Sequence, residues 1–133
     1  MSSKEHSIRL KIAKSKSLLS EVDVLMLHKF YITAINRMYY SCYHATKTLL
    51  LTKNLIPKTH SGVVTILHKE FVQNGFFDFS HASFFSRLMQ ERIEDDYNDF
   101  LILSDEEVSD FIEPSKSYVN YVEQLIENYL NLK

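Results

Sequence analysis

The length and composition of the chain predict a single, almost wholly helical domain. Its 133 residues are enough for one domain with its own core, and 45% of them are hydrophobic. Two glycines and two prolines are the only strong helix breakers, and no alternating run of β-branched residues predicts a strand. We therefore expect one all-α domain over residues 1–133. The formal net charge of −2 argues against a generic polyanion binder.

The residue pattern also argues against membrane, disulfide and metal chemistry. No apolar run approaches the ~18–20 residues of a membrane span, and the polar N-terminus does not resemble a signal peptide. Cys42 is the single cysteine, so no internal disulfide can form, which favours a cytoplasmic location. The histidines are scattered and no glycine-rich phosphate loop occurs, so we expect neither a metal nor a cofactor.

Hydrophobic periodicity predicts about five helices in an up-and-down bundle. The first two helices are expected at about residues 3–26 and 29–53, and the last two at about residues 80–98 and 105–130. The third helix is expected between these two pairs. Ser2, Thr59 or Ser61, and Ser104 are the expected N-caps of the first, third and fifth helices. Pro114 falls inside the fifth helix and is expected to kink or split it.

Charge is unevenly distributed along these elements. The first helix is basic and carries Lys4, Arg9, Lys11, Lys14 and Lys16. Ten of the seventeen acids lie between Glu91 and Glu113, where Arg92 is the only base. Such a separation is typical of two solvated faces, and it can also orient a protein in an assembly.

The second helix carries the most informative polar pattern. Arg37, Tyr40 and His44 lie on one helical stripe, with Asn36 and Tyr43 beside it. A guanidinium, a phenol and an imidazole on one stripe can bind a phosphate or a base, or they can form a satisfied polar seam inside a bundle. A charged arginine on the most apolar helix needs a partner, and we expect the acids at residues 91–96 to supply it.

Two further polar clusters occur in the chain. Residues 58–61 form a polar loop whose members can be helix caps or ligand-binding groups. Arg92 and Asp96 are four residues apart, the spacing of an ordinary intrahelical ion pair worth about 0.3–0.5 kcal/mol when exposed, and Tyr97 follows them.

Three separated segments resemble the HEPN domain superfamily, and most closely its small stand-alone bacterial and archaeal branch. These segments are AINRMYYSCYHA at 34–45, PKTHSG at 57–62 and ERIEDDYNDF at 91–100. They occur in order, and the likeness covers nearly the whole chain.

The resemblance implies an up-and-down bundle that commonly forms a two-fold homodimer. Members are often encoded beside a minimal nucleotidyltransferase and act as the toxin half of the pair. Active members are metal-independent ribonucleases that use an arginine followed four to six residues later by a histidine, late in the domain. The implied chemistry is transphosphorylation of RNA, in which the histidine moves a proton and the arginine stabilises the phosphorane.

The chain departs from that late motif. Arg92 matches its arginine, but Asp96 and Tyr97 stand where the histidine is expected. Arg37 and His44 satisfy the spacing on the second helix instead. Among the histidines, His44 is the one we expect to be placed for acid–base work, because it shares a stripe with an arginine and a tyrosine.

These patterns define the candidate site and the expected function. The candidate catalytic residues are Arg37, His44 and Arg92, and the candidate ligand-binding residues are Asn36, Tyr40, Lys58, His60, Asp96 and Tyr97. We expect a non-catalytic HEPN module that binds nucleotide, RNA or a nucleotidyltransferase partner. The alternatives are a metal-independent ribonuclease toxin and an oligomerising bundle without a ligand. A homodimer is expected because nine Phe and eight Tyr are many for one small domain to cover.

Overall fold

The helices follow one another with short connections throughout the described part of the chain. A computed structural model describes residues 2–97 and 104–131, the side chains of residues 92–97 excepted. The elements are α1 (Ser3–Ser20), α2 (Val22–Leu27), α3 (Tyr31–Leu51), α4 (His60–Ile66), a π-helix (Leu67–Val72), α5 (Phe79–Tyr97), α6 (Asp105–Ser109) and α7 (Ile112–Asn131). The predicted all-α fold is confirmed. No helix in the described ranges is long and apolar enough to cross a membrane.

Helix α3 is the centre of the bundle. It packs against α1, α2, α5 and α7, and it buries residues along most of its length. Ile35, Met38 and Tyr39 are at most 1% exposed, and burying an apolar side chain of this size contributes about 1.5–3 kcal/mol. Cys42 is also fully buried, and burial raises the pKa of its thiol, so this cysteine fills space in the core rather than acting as a nucleophile.

The first predicted helix is broken in two. Helix α1 packs against α3 and α7 with the 3–4 spacing expected of a single buried stripe. The buried residues of that stripe are Ile8, Ile12, Ser15 and Leu19. The predicted continuation to residue 26 is wrong, because α1 ends at Ser20 and a separate helix, α2, begins at Val22. Glu21 lies at this break, which becomes relevant to Arg37 below.

The predicted helix ends are largely confirmed. The side chains of Ser2, Thr59 and Ser104 accept hydrogen bonds from backbone N–H groups at the starts of α1, α4 and α6, at 3.1, 2.9 and 3.1 Å. The last predicted helix is split, as Pro114 led us to expect. Pro114 lies in the first turn of α7, where its missing N–H removes no helical hydrogen bond.

The π-helix was not anticipated from the sequence. It continues α4, and the backbone bond from the Gln73 N–H to the His68 carbonyl at its end spans five residues, at 2.9 Å. In the turn that follows, the Phe76 N–H donates to the Phe71 carbonyl at 2.8 Å. Gly75, with φ of 78°, then reverses the chain as expected of a left-handed C-cap.

Candidate functional site

A stack of aromatic rings joins α3 to the start of α4. The His60 ring lies parallel to the Tyr43 ring, with their centroids 4.3 Å apart and 15° between the planes. The Tyr39 hydroxyl and His60 Nδ1 are joined by a hydrogen bond of 2.5 Å. Thr59 fixes this position by capping α4 at the residue before His60. His60 is therefore held in place by ring contacts and by a hydrogen bond. It is more than one of the helix-capping residues of this polar loop.

The predicted pair of Tyr40 and His44 lies beside this stack. Their rings are 6.1 Å apart with 27° between the planes, and the Tyr40 ring also meets His60 edge to face at 6.3 Å. Tyr40 is half-buried, whereas His44 is exposed. Tyr40 and His44 therefore extend the aromatic cluster from the core to the surface, where the imidazole of His44 is accessible.

His44 opens into a groove that the sequence did not predict. The groove has a volume of about 480 Å³ and lies between α1, α3 and the loop that follows α3. Lys11 and Lys14 contribute from α1, and Lys47 contributes from α3, one turn after His44. Four groups able to carry positive charge therefore converge on one surface of a protein whose formal net charge is −2.

The lysines that line the groove from α1 differ from two other basic residues of that helix, which form ion pairs with α7. On α1, Arg9 and Lys16 form ion pairs with Glu127 and Glu123 of α7. Within the described part of the chain, Lys11, Lys14 and Lys47 lie within 4.0 Å of no carboxylate. Lys47 Nζ instead lies 5.3 Å from the centroid of the Tyr43 ring. The charge of the groove is therefore not neutralised by these neighbours.

The environment of His44 favours the neutral imidazole. Partial burial is the largest cause that lowers the pKa of His44, and the charges of Lys47 and Lys14 lower it further, with smaller contributions from His60 and Lys11. His44 is then predominantly neutral at pH 7, and one ring nitrogen is available to accept a proton. An anion in the groove would offset the lysine charges and raise the pKa again.

The predicted partner of Arg37 is wrong. Arg37 Nε lies 2.7 Å from Glu21 Oε2, and both side chains are nearly half exposed. Arg37 was expected to face the acids at residues 91–96, but the break between α1 and α2 places Glu21 beside it instead. Such an exposed pair contributes little stability, and it directs Arg37 away from the groove lining.

Asn36 and Lys58 are also placed apart from the groove lining. Asn36 is half-buried, and its Oδ1 atom has no hydrogen-bond partner in the described part of the chain. Lys58 is exposed in the loop before α4. Of the four candidate ligand-binding residues whose side chains the structure describes, Tyr40 and His60 are therefore the two that lie next to His44.

The comparison with known families matches residues 8–125 to the HEPN domain, which is most of the chain. This chain belongs to the HEPN domain family. A UPF0332 protein of Thermotoga maritima is 29% identical over 96% of this chain and 97% of its own length. Two proteins of Methanocaldococcus jannaschii, both named putative toxin, are each 30% identical over 84% and 82% of this chain, and over 83% and 74% of their own lengths.

The three candidate residues of the segment that resembles the late HEPN motif lie at the end of α5. Arg92, Asp96 and Tyr97 belong to the last two turns of that helix. Their side chains lie outside the described residues, so their proposed roles remain sequence-based predictions. Among the residues that the structure describes, no group of three or more His, Cys, Asp or Glu side chains is placed to hold a metal ion.

Sequence reasoning missed the groove lysines of this HEPN domain, although two signals pointed to them. Lys11 and Lys14 are three residues apart, as are His44 and Lys47, so each pair shares a helical face. What the sequence does not give is the packing of α1 on α3, which brings the two pairs together.

Proposed function

We propose that this HEPN protein is a non-catalytic module that binds single-stranded RNA in the groove beside His44. The observation that carries the proposal is the convergence on an exposed imidazole of three lysines that have no acidic partner among the described residues. The described acidic side chains do not neutralise these lysines, so their charge is available to a negatively charged ligand. Lysine ammonium groups neutralise phosphates without reading sequence, so we expect affinity with little base preference.

The aromatic cluster supplies the second part of an RNA site. Proteins that bind single strands combine a basic groove with rings on which bases stack, at about 1–3 kcal/mol per base. His44 is exposed and lines the groove together with the lysines, and its ring lies 6.1 Å from the Tyr40 ring. We propose that the phosphates bind Lys11, Lys14 and Lys47 and that one base stacks at the His44 edge.

Names of the relatives support a toxin-like setting. Two relatives that cover more than four-fifths of this chain are named putative toxin. We propose that this protein acts as one half of a toxin–antitoxin pair, as a homodimer, and that its partner is a minimal nucleotidyltransferase. Pull-down of the co-expressed neighbouring gene product, followed by light scattering of the complex, tests this assignment directly.

Binding of RNA is tested with a fluorescent twelve-nucleotide oligouridylate. Three lysine–phosphate contacts predict a slope of about −2 when the logarithm of the association constant is plotted against the logarithm of the salt concentration. A slope near zero, or no change in anisotropy at low salt, would contradict the proposal.

A metal-independent ribonuclease is the second candidate, and the lowered pKa of His44 favours it. The neutral imidazole of His44 can act as a general base, and the neighbouring lysine charges can stabilise a phosphorane. Labelled RNA is incubated with the protein in EDTA. Cleavage that leaves 2′,3′-cyclic phosphate ends and is lost in His44→Gln would establish this candidate, whereas intact RNA bound by both forms would support the non-catalytic module.

A further inference from the structure

The groove beside His44 has two chemically different sides. Its cationic side is formed by the lysines of α1 and α3, and the imidazole of His44 lies beside them. The other side is aliphatic and consists of Leu51, Leu55, Ile56 and Pro57. Ile56 is 69% exposed, so its apolar side chain is open to a ligand in the groove. A ligand that covers the whole groove must therefore carry both negative charge and aliphatic surface.

A phosphate backbone satisfies only the cationic side. Among the described residues that line it, the aliphatic side has no aromatic ring on which a base could stack and no arginine to bind a phosphate with two hydrogen bonds. RNA bound to the lysines would leave Ile56 and its neighbours against solvent. Acidic and aliphatic side chains of a polypeptide, by contrast, match the two sides by charge and by hydrophobicity.

We propose that this groove also docks an acidic, aliphatic peptide segment of a protein partner. The carboxylates of the segment bind Lys11, Lys14 and Lys47, and its aliphatic side chains cover Leu55 and Ile56. Because the same lysines hold RNA under the function proposed above, the segment competes with RNA and closes the site. The competition rests on that proposed function, whereas the docking does not.

The placement of the two sides suits an extended segment. Lys11 and Lys14 lie on α1, whereas Leu55 and Ile56 lie in the loop after α3. Successive side chains of an extended chain point in opposite directions. A segment that alternates acidic and aliphatic residues therefore directs its carboxylates to α1 and its apolar side chains to the loop.

The test uses two labelled, acetylated eight-residue peptides. One alternates glutamate with leucine and the other alternates glutamate with serine, so the two carry the same charge. We expect the leucine peptide to bind the wild-type protein about tenfold more tightly, because each leucine covers apolar surface. Ile56→Ser, at an exposed position, should reduce that preference severalfold, and Lys14→Glu should weaken both peptides. The matched control Lys69→Glu should change neither affinity.

The outcomes separate this inference from the proposed function. Equal binding of the two peptides to the wild-type protein, or a preference for leucine that survives Ile56→Ser unchanged, would overturn the inference. Binding of oligouridylate without binding of the leucine peptide would overturn it and leave RNA binding standing. Binding of the leucine peptide without binding of RNA would support the docking and contradict the proposed function. Displacement of RNA by the leucine peptide would support both.

Discussion

The pKa of His44 is a measurable property that reports the electrostatics of the groove. Burial and the neighbouring positive charges lower its pKa, so the wild-type value is expected below 6.5. Removing one of those charges in Lys47→Gln should raise the pKa of His44, as monitored by the NMR titration of its imidazole protons. Lys69→Gln removes a charge that is not among these causes and serves as the control. A wild-type pKa at or above 6.5 would contradict the account.

The same shift predicts a pH dependence with a defined sign. A histidine whose pKa is lowered by folding binds a proton more readily in the unfolded state, so its contribution to stability is present above about pH 6.5 and is lost as the pH falls through the folded pKa. A bound RNA phosphate has the opposite effect on the pKa of His44 and raises it, because the negative charge favours the protonated imidazole. Affinity for RNA should therefore rise as the pH is lowered from 7 towards 6.

At the scale of elements, one buried hydrogen bond joins α3 to α7. The Tyr118 hydroxyl and Thr46 Oγ1 are 2.6 Å apart, and Thr46 Oγ1 donates to the Cys42 carbonyl, so the tyrosine is the donor to the threonine. Both side chains are fully buried. Thr46→Val leaves the phenol without this partner and should lower the free energy of unfolding by about 1–3 kcal/mol, as measured by urea denaturation.

A double variant provides the control for that bond. Tyr118→Phe combined with Thr46→Val removes both polar groups, and it should be less destabilised than Thr46→Val alone because no buried donor remains unsatisfied. A double variant that loses the sum of the two single effects would show that the hydrogen bond is not what links these helices.

The sequence predicts those features of the structure that depend on residues close together in the chain. Periodicity and capping gave the long helices and the caps at Ser2 and Ser104, because both depend on residues within a turn of each other. The break at Glu21 and the partner of Arg37 were missed, because tertiary packing decides them. The groove was missed for the same reason, since Lys14 and Lys47 lie on different helices.

At the scale of the whole molecule, we expect the homodimer interface to form at a set of exposed apolar residues. Val24, Leu27, Phe30 and Ile32 lie close together in sequence at the junction of α2 and α3, and each is between 48% and 78% exposed. The homodimer expected from the sequence stays a prediction, and this surface is the candidate for it. Light scattering at about 50 μM should give the mass of a dimer, since an interface of about 1,600 Å² usually binds more tightly than that.

Leu27→Glu places a charge in that surface and should convert the dimer to a monomer. Leu27 is 78% exposed in the protomer, so the protomer should fold normally. Leu10→Glu, at an exposed position on α1 outside the patch, serves as the control. A wild-type monomer at 50 μM, or a dimer that persists in Leu27→Glu, would show that this surface does not mediate dimerisation.

The groove beside His44 is the central claim, and charge reversal tests it most directly. Affinity for the oligouridylate is measured by anisotropy for the wild-type protein, Lys14→Glu and Lys69→Glu. Lys14 lines the groove, whereas Lys69 is an exposed lysine of the π-helix outside it, and the two substitutions change the net charge equally. Lys14→Glu should bind at least about fivefold more weakly, and losing one phosphate contact should make the salt slope shallower by about 0.7. Lys69→Glu should bind like the wild-type protein. Equal affinities for all three proteins, or an equal loss in both variants, would contradict the assignment of this groove as the RNA site.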